Sequence, residues 1–149
     1  MQAVLEIGSL VVVGWVAGAE AGSWCCVQPI IPQLPYAQQV QMEQGMLRTF
    51  GRLMPILMPL SAILAVVLVV FSAEHGATVF WLRIGAAICI GITVVTTLTV
   101  NVPINSRTSR WKVSDDASEW HDIRERWHLF QGVRAGLFMA AFIMLAVAA

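Results

Sequence analysis

Charge is what this sequence has least of. Of its 149 residues, 12% are Asp, Glu, Lys or Arg, about half the share of a soluble globular domain. Such a surface could not keep a domain dispersed in water. Net charge is zero, so no basic field exists to gather phosphates, and nucleic acid is excluded as a partner. Cysteine is also scarce. Cys25 and Cys26 are neighbours and Cys89 stands alone, so no disulfide framework can form; all three read as small core residues. The N-terminus lacks the basic stretch and small-residue cleavage site of a signal peptide, and its first apolar run is long enough to span a bilayer. Internal repeats and low-complexity tracts are absent.

What remains is apolar: 58% of residues are hydrophobic and mean hydropathy is +0.73. The hydrophobic residues gather in four runs, 4–27, 53–71, 79–100 and 129–148. Each is close to the roughly 20 residues that cross about 30 Å of hydrocarbon as a helix. Only helices satisfy their own backbone in such segments. The expected fold is therefore all-α, an integral membrane four-helix bundle forming one domain over 1–149, with membrane lipids around it.

The connections differ. A short turn with Gly76 joins the second and third runs into an antiparallel hairpin. His75, in that turn, reads as a plain loop residue. Pro29, Pro32 and Pro35 end the first helix. Val40, Leu47, Phe50 and Met54 then recur at helical spacing, which predicts an amphipathic lead-in to the second span. Asp116 followed by Glu119 resembles a capping box, so a helix is expected from about Ala117 into the fourth span. Eight basic residues (Arg48, Arg52, Arg107, Arg110, Lys112, Arg124, Arg126 and Arg134) belong to one end of the bundle and only Arg83 to the other. The positive-inside rule then puts both long connections in the cytoplasm and both termini outside. The expected location is a bacterial inner (plasma) membrane.

Polar residues inside the spans are costly and carry the functional signal. Glu20 lies one turn from the cytoplasmic end of the first span among Val13, Val16, Ala17 and Trp24. Glu43 falls on the apolar face of the lead-in, and an ion pair with Arg48 or Arg52 would account for it. Gly14, Gly18 and Gly22 form a small-residue ladder suited to close helix packing. Thr93, Thr97, Asn101 and Asn105 make one stripe, and Pro103 frees the Thr99 carbonyl beside it. Trp120, Arg124, Trp127, Gln131, Arg134 and Phe138 make another, with Arg134 expected to point inward. Trp111 and Trp120 read as interfacial anchors. His121, Glu125 and His128 share a helical face, more readily a solvated surface than half of a metal motif. All the unusual polar groups fall at the cytoplasmic end, where they would line an apolar pocket with few polar groups.

Asn101, Pro103 and Asn105, followed by Arg126, Trp127, Val133 and Arg134, resemble the anthrone-oxygenase-like family of small four-helix membrane proteins, with members in polyketide pathways. The small residues before Pro29 and the stretch 52–55 are similar as well, so the likeness covers nearly the whole chain. It implies the four-helix fold and oxygenation of an aromatic substrate, and it carries over to Asn105, Trp127 and Arg134. Where the family often has Asn or His just before the final arginine, this chain has Gln131 and Gly132, a departure that weighs against histidine-dependent chemistry.

The expected function is thus a membrane oxidoreductase, an oxygenase of a small apolar or aromatic molecule. Glu20 or Glu43 would be the base, with Arg134 catalytic beside it. Asn101, Asn105, Trp127 and Gln131 would bind substrate. The cofactor stays open between none and a transition metal on Glu20, Glu43 and His128. The alternative is a non-catalytic subunit or small-molecule binder, whose glycine ladder and tryptophans would face partner membrane subunits or a second copy. Topology is directly checkable. A single cysteine at position 114, in a chain lacking its native cysteines, should react with an impermeant thiol reagent only from the cytoplasmic face; labelling only from outside would invert the orientation.

Overall fold

In the computed structural model, which describes residues 2–71 and 76–149, helices account for all four apolar runs. Helix α1 (Gln2–Gly22) passes into a π-helical turn (Ser23–Val27), then a 3₁₀ turn (Ile31–Gln33) among the prolines. Helix α2 (Tyr36–Val70) contains both the lead-in and the second span without a break. Its 35 residues reach about 52 Å at 1.5 Å per residue, so one end projects well beyond the hydrocarbon. Helix α3 (Ala77–Thr96) leads through a second π-turn (Thr97–Asn101) into the short α4 (Val102–Ser109). Helix α5 (Ala117–Val147) closes the bundle. All four long helical segments are long and apolar enough to cross a membrane, so the protein is an integral membrane protein. Most of the second-to-third turn, His75 included, lies outside the described residues; its last residue, Gly76, has φ 86° and caps α3.

Helix α5 packs on α3 and α1, and α2 covers the remaining side of both. Between them lies a core of Val13, Val16 and Ala17 from α1, Met54, Met58, Ala65 and Leu68 from α2, Ala86 and Ile90 from α3, and Phe138, Ala141 and Leu145 from α5. Around it stand exposed Val4, Ile7, Val11, Ile63, Val66, Ile88, Val95, Ile143 and Val147. Core and outer surface are both apolar, as expected where the surrounding medium is itself apolar.

Beyond the spans a second core forms. Val40, Trp111 and Trp120 are buried there, with Tyr36 and Ile123 packed on them. Trp111 Nε1 donates to the Tyr36 hydroxyl at 2.9 Å and Trp120 Nε1 to Gln39 Oε1 at 3.3 Å. These two tryptophans are therefore not interfacial anchors: the long α2 and α5 extensions bring them together, 5.5 Å apart, and each indole N–H finds a protein acceptor. Gln44 ties the same region together through the carbonyls of Thr108 and Trp111. Asp116 does cap α5, its Oδ1 accepting from the Ser118 N–H and hydroxyl. These donors hold its carboxyl below the usual carboxylate range. Glu119, expected to complete the capping box, pairs with Arg107 instead.

Only one rung of the glycine ladder is a close contact. A Cβ on Gly14 would lie 2.8 Å from the Phe142 ring of α5, whereas Gly18 and Gly22 have nothing within 4 Å. The sequence spacing is right for packing, but only Gly14 meets α5, and Gly18 faces outward. Gly14→Leu should therefore destabilise the bundle by about 1–3 kcal/mol, the cost of overpacking, while Gly18→Leu should leave thermal unfolding in detergent nearly unchanged. The reverse ranking would place the α1–α5 contact elsewhere.

Candidate functional site

The last turn of α1, the π-turn after α3 and the middle of α5 meet around one buried ion pair. Glu20 is 2% exposed and Arg134 is 7% exposed. Arg134 Nη2 reaches Glu20 Oε1 at 2.9 Å and Oε2 at 2.7 Å, and Nε reaches Oε2 at 3.0 Å. Gln131, one turn earlier on α5, donates to Glu20 Oε2 at 2.5 Å and accepts from Arg134 Nη2 at 2.6 Å. Thr97 accepts from Arg134 Nη1 at 3.3 Å. A charge held this far from water persists only when paired and hydrogen-bonded, and the planar guanidinium does both at once.

Thr97 stands four residues after buried Thr93, on the same helical face, and a π-turn begins at it. Pro103 cannot donate to the Thr99 carbonyl, and the backbone absorbs the lost bond by widening over Thr97–Asn101, a common accommodation at functional positions. The polar stripe is thereby divided among three tasks. Thr93 bonds back to the Ile90 carbonyl, Thr97 holds Arg134, and Asn105 accepts from Trp127 Nε1 at 2.8 Å. Asn101 is fully buried, and neither of its amide atoms has a protein partner; it lies outside the residues that line the cavities.

Glu43 forms the second ion pair, with Arg124 Nη2 at 2.7 Å. The sequence pointed to Arg48 or Arg52. Glu43 faces the buried side of α2, whereas Arg48 lies on its outer side and turns back to the Gln44 carbonyl, so the partner comes from α5. Arg124 lies over the Trp127 ring, 4.3 Å from its centroid, a geometry in which the ring quadrupole favours the cation.

These groups surround a cavity of about 560 Å³ bounded by α1, α2, the α3–α4 stretch and α5. Leu47, Phe50, Met54, Met58, Val94 and Leu98 make its wall largely apolar, while Glu20, Thr97, Gln131 and Arg134 form one polar patch and Glu43, Asn105 and Trp127 another. A smaller cavity of about 350 Å³ lies on the other side of Glu43, lined by Gln28, Gln39, Arg124, His121, Glu125 and His128 among others. Glu43 borders both. His121, Glu125 and His128 thus face a cavity together. His128 also stacks on Trp24 of the α1 extension at 5.8 Å, and Trp24 lies against Gly132, where a Cβ would come within 2.7 Å of the indole.

The candidate metal set of Glu20, Glu43 and His128 is divided between these surroundings. Glu20 and His128 share neither cavity, each carboxylate is held by an arginine, and among the described residues no three His, Cys, Asp or Glu side chains could hold a metal ion. Two buried pairings are not legible in the sequence. There, Arg124 is one basic residue on a stripe, with nothing to match it to Glu43. At the far end, Arg83 is 1% exposed and pairs with Glu6 at 2.5 Å; the high cost of any lone charge in a span was the signal that could have matched them.

The comparison with protein families matches residues 46–144 to the anthrone oxygenase family. The chain belongs to that family. The matched stretch holds Asn105, Trp127, Gln131 and Arg134, while Glu20 precedes it, as does Glu43. Neither a curated protein nor a solved structure matches the chain.

Because Arg134 neutralises Glu20 in a dry setting, Arg134→Ala should lower stability by about 3–5 kcal/mol, the cost of stranding one member of a buried pair. Arg134→Lys keeps the charge but loses the planar fork, so it should recover part of that loss. Unfolding in graded SDS measures both; an alanine variant as stable as wild type would mean the pair is solvated.

Proposed function

We propose that this protein is a membrane oxygenase that draws a small aromatic substrate from the bilayer into the larger cavity. The observation that carries the reading is the composition of that cavity: apolar walls wide enough for a fused-ring molecule, with a fixed Arg134–Glu20 pair and a second carboxylate, Glu43, on its surface. Membership of the anthrone oxygenase family supports the substrate class, an aromatic ketone carrying an activated methylene. In the orientation set by the arginines, the cavity lies toward the cytoplasmic leaflet.

Of the two carboxylates, we assign the base to Glu43. Glu20 Oε2 already accepts from Gln131 and twice from Arg134, so its lone pairs are engaged and its role is to hold the guanidinium. Arg134 Nη1 contacts only Thr97 among the described residues and carries two N–H groups. One is left for a substrate oxygen. Glu43 takes a proton from the methylene, the electron pair spreads onto the ketone oxygen, and the nearby guanidinium stabilises the negative charge that develops there. Dioxygen is the oxidant. One of its atoms becomes the new carbonyl oxygen, and the other leaves as water with the two methylene hydrogens. One methylene and one dioxygen are thus consumed for each carbonyl and each water formed, the carbon being oxidised and the dioxygen reduced.

The test is oxygen uptake and quinone absorbance with the purified protein in lipid nanodiscs, supplied with anthrone and corrected for spontaneous oxidation. Wild type should exceed the protein-free rate, and Glu43→Gln should lose about a hundredfold or more of the enzymatic rate, the usual size of a general-base contribution. Ligand binding without turnover would make the protein a carrier, and full activity of Glu43→Gln would move the base elsewhere.

A further inference from the structure

Among the described residues, every exposed one that lines the larger cavity belongs to α2 or to the α3–α4 stretch: Gly51, Pro55 and Pro59 on one side, Leu98, Val102, Ser106 and Ser109 on the other. The lining residues of α1 and α5, with Glu20, Trp127, Gln131 and Arg134 among them, are buried or half-buried. The cavity therefore opens sideways, through a slot between α2 and the α3–α4 stretch. Along α2 the slot runs from Gly51 to Pro59, about 12 Å at 1.5 Å per residue, most of the roughly 15 Å of hydrocarbon in one leaflet. Its sides at Pro55, Pro59, Leu98 and Val102 carry no charge.

Two arginines stand at one end of the slot. Gln44 of α2 donates to the carbonyls of Thr108 and Trp111, so the α2 face that carries it turns toward α4. Arg48 lies one turn farther along that face, between Gln44 and Gly51, and its Nε reaches back to the Gln44 carbonyl at 3.3 Å. From the α4 side, Arg110 donates from Nη2 to Ser106 Oγ at 3.1 Å and from Nε to the Ser106 carbonyl at 3.2 Å. These bonds hold its guanidinium beside a residue that lines the slot. Both arginines are exposed, and among the described residues neither meets a carboxylate. Each keeps N–H groups beyond the bonds it already makes.

We propose that the slot binds an anionic phospholipid, its phosphate held between Arg48 and Arg110 and one acyl chain lying in the apolar slot beyond them. Guanidinium groups match phosphate geometry and bond it with charge assistance. A zwitterionic lipid offers the same phosphate, but its own cation offsets the attraction, so the arginines select a head group of net negative charge. Water is a poor occupant of the slot, whose walls offer it few polar partners. The site stands whether or not the cavity also turns over a substrate. An aromatic molecule entering from the bilayer then displaces an acyl chain.

Retained lipid tests the site without turnover. The full chain is placed in nanodiscs of equal parts phosphatidylglycerol and phosphatidylcholine, extracted into mild detergent, and its bound lipid is quantified by mass spectrometry. Wild type should retain phosphatidylglycerol in about tenfold excess, as expected for two basic residues beside one anionic head group. With Arg48→Gln and Arg110→Gln combined, the excess should fall to near parity. Arg126→Gln removes another exposed cation, on α5 and outside both cavities, and should leave the excess unchanged. A Cβ on Gly51 would meet nothing within 4 Å, so Gly51→Trp should keep the wild-type melting temperature. Its indole would fill the slot and should release most of the bound phosphatidylglycerol. Equal retention of the two lipids by wild type, an undiminished excess in the double arginine variant, a matching loss in Arg126→Gln, or full retention by Gly51→Trp would each overturn the site.

Discussion

A charge without water must find a protein partner, and the bundle is arranged around that requirement. Glu20 on α1 and Arg134 on α5 meet because neither could stand alone in an apolar helix, and their pairing dictates which faces of these helices turn toward each other. Gln131 and Thr97 are drawn in as the remaining partners. Thr97 stands at the start of the π-turn that precedes Pro103.

The second pair obeys the same rule at the edge of the membrane. Glu43 and Arg124 join α2 to α5, and Arg124 rests on Trp127, which Asn105 holds from the α4 side. The tryptophan is therefore fixed by its N–H and by its face. Side chains from α2, α4 and α5 thus meet around one indole at this corner of the larger cavity.

Much of this was legible in the sequence because the bilayer is a demanding solvent. Four runs of helical length could only be four helices, and Pro29, Pro32 and Asp116 marked their ends. Glu20, Gln131 and Arg134 stood out as polar groups in apolar company, which is why their meeting was foreseeable. What spacing could not supply was the rotation of one helix against another. Gly18 and Gly14 look alike in sequence, yet only Gly14 faces α5. Glu43 had closer arginines along its own helix, but they sit on its wrong side. Trp111 and Trp120 had the composition of interfacial anchors; only the length of α2 and α5 beyond the membrane gives them a core to enter. Glu6 and Arg83, far apart in sequence, needed a third dimension to become a pair.

That last pair gives the molecule a direction. Arg83 of α3 bonds Glu6 of α1, the Leu68 carbonyl of α2 and the Ala148 carbonyl just past α5, so one side chain ties its own span to the other three at the far end. Opposite it lie the two cavities, so a single arginine joins all four spans at one end of the bundle while the polar groups that could meet a ligand gather at the other.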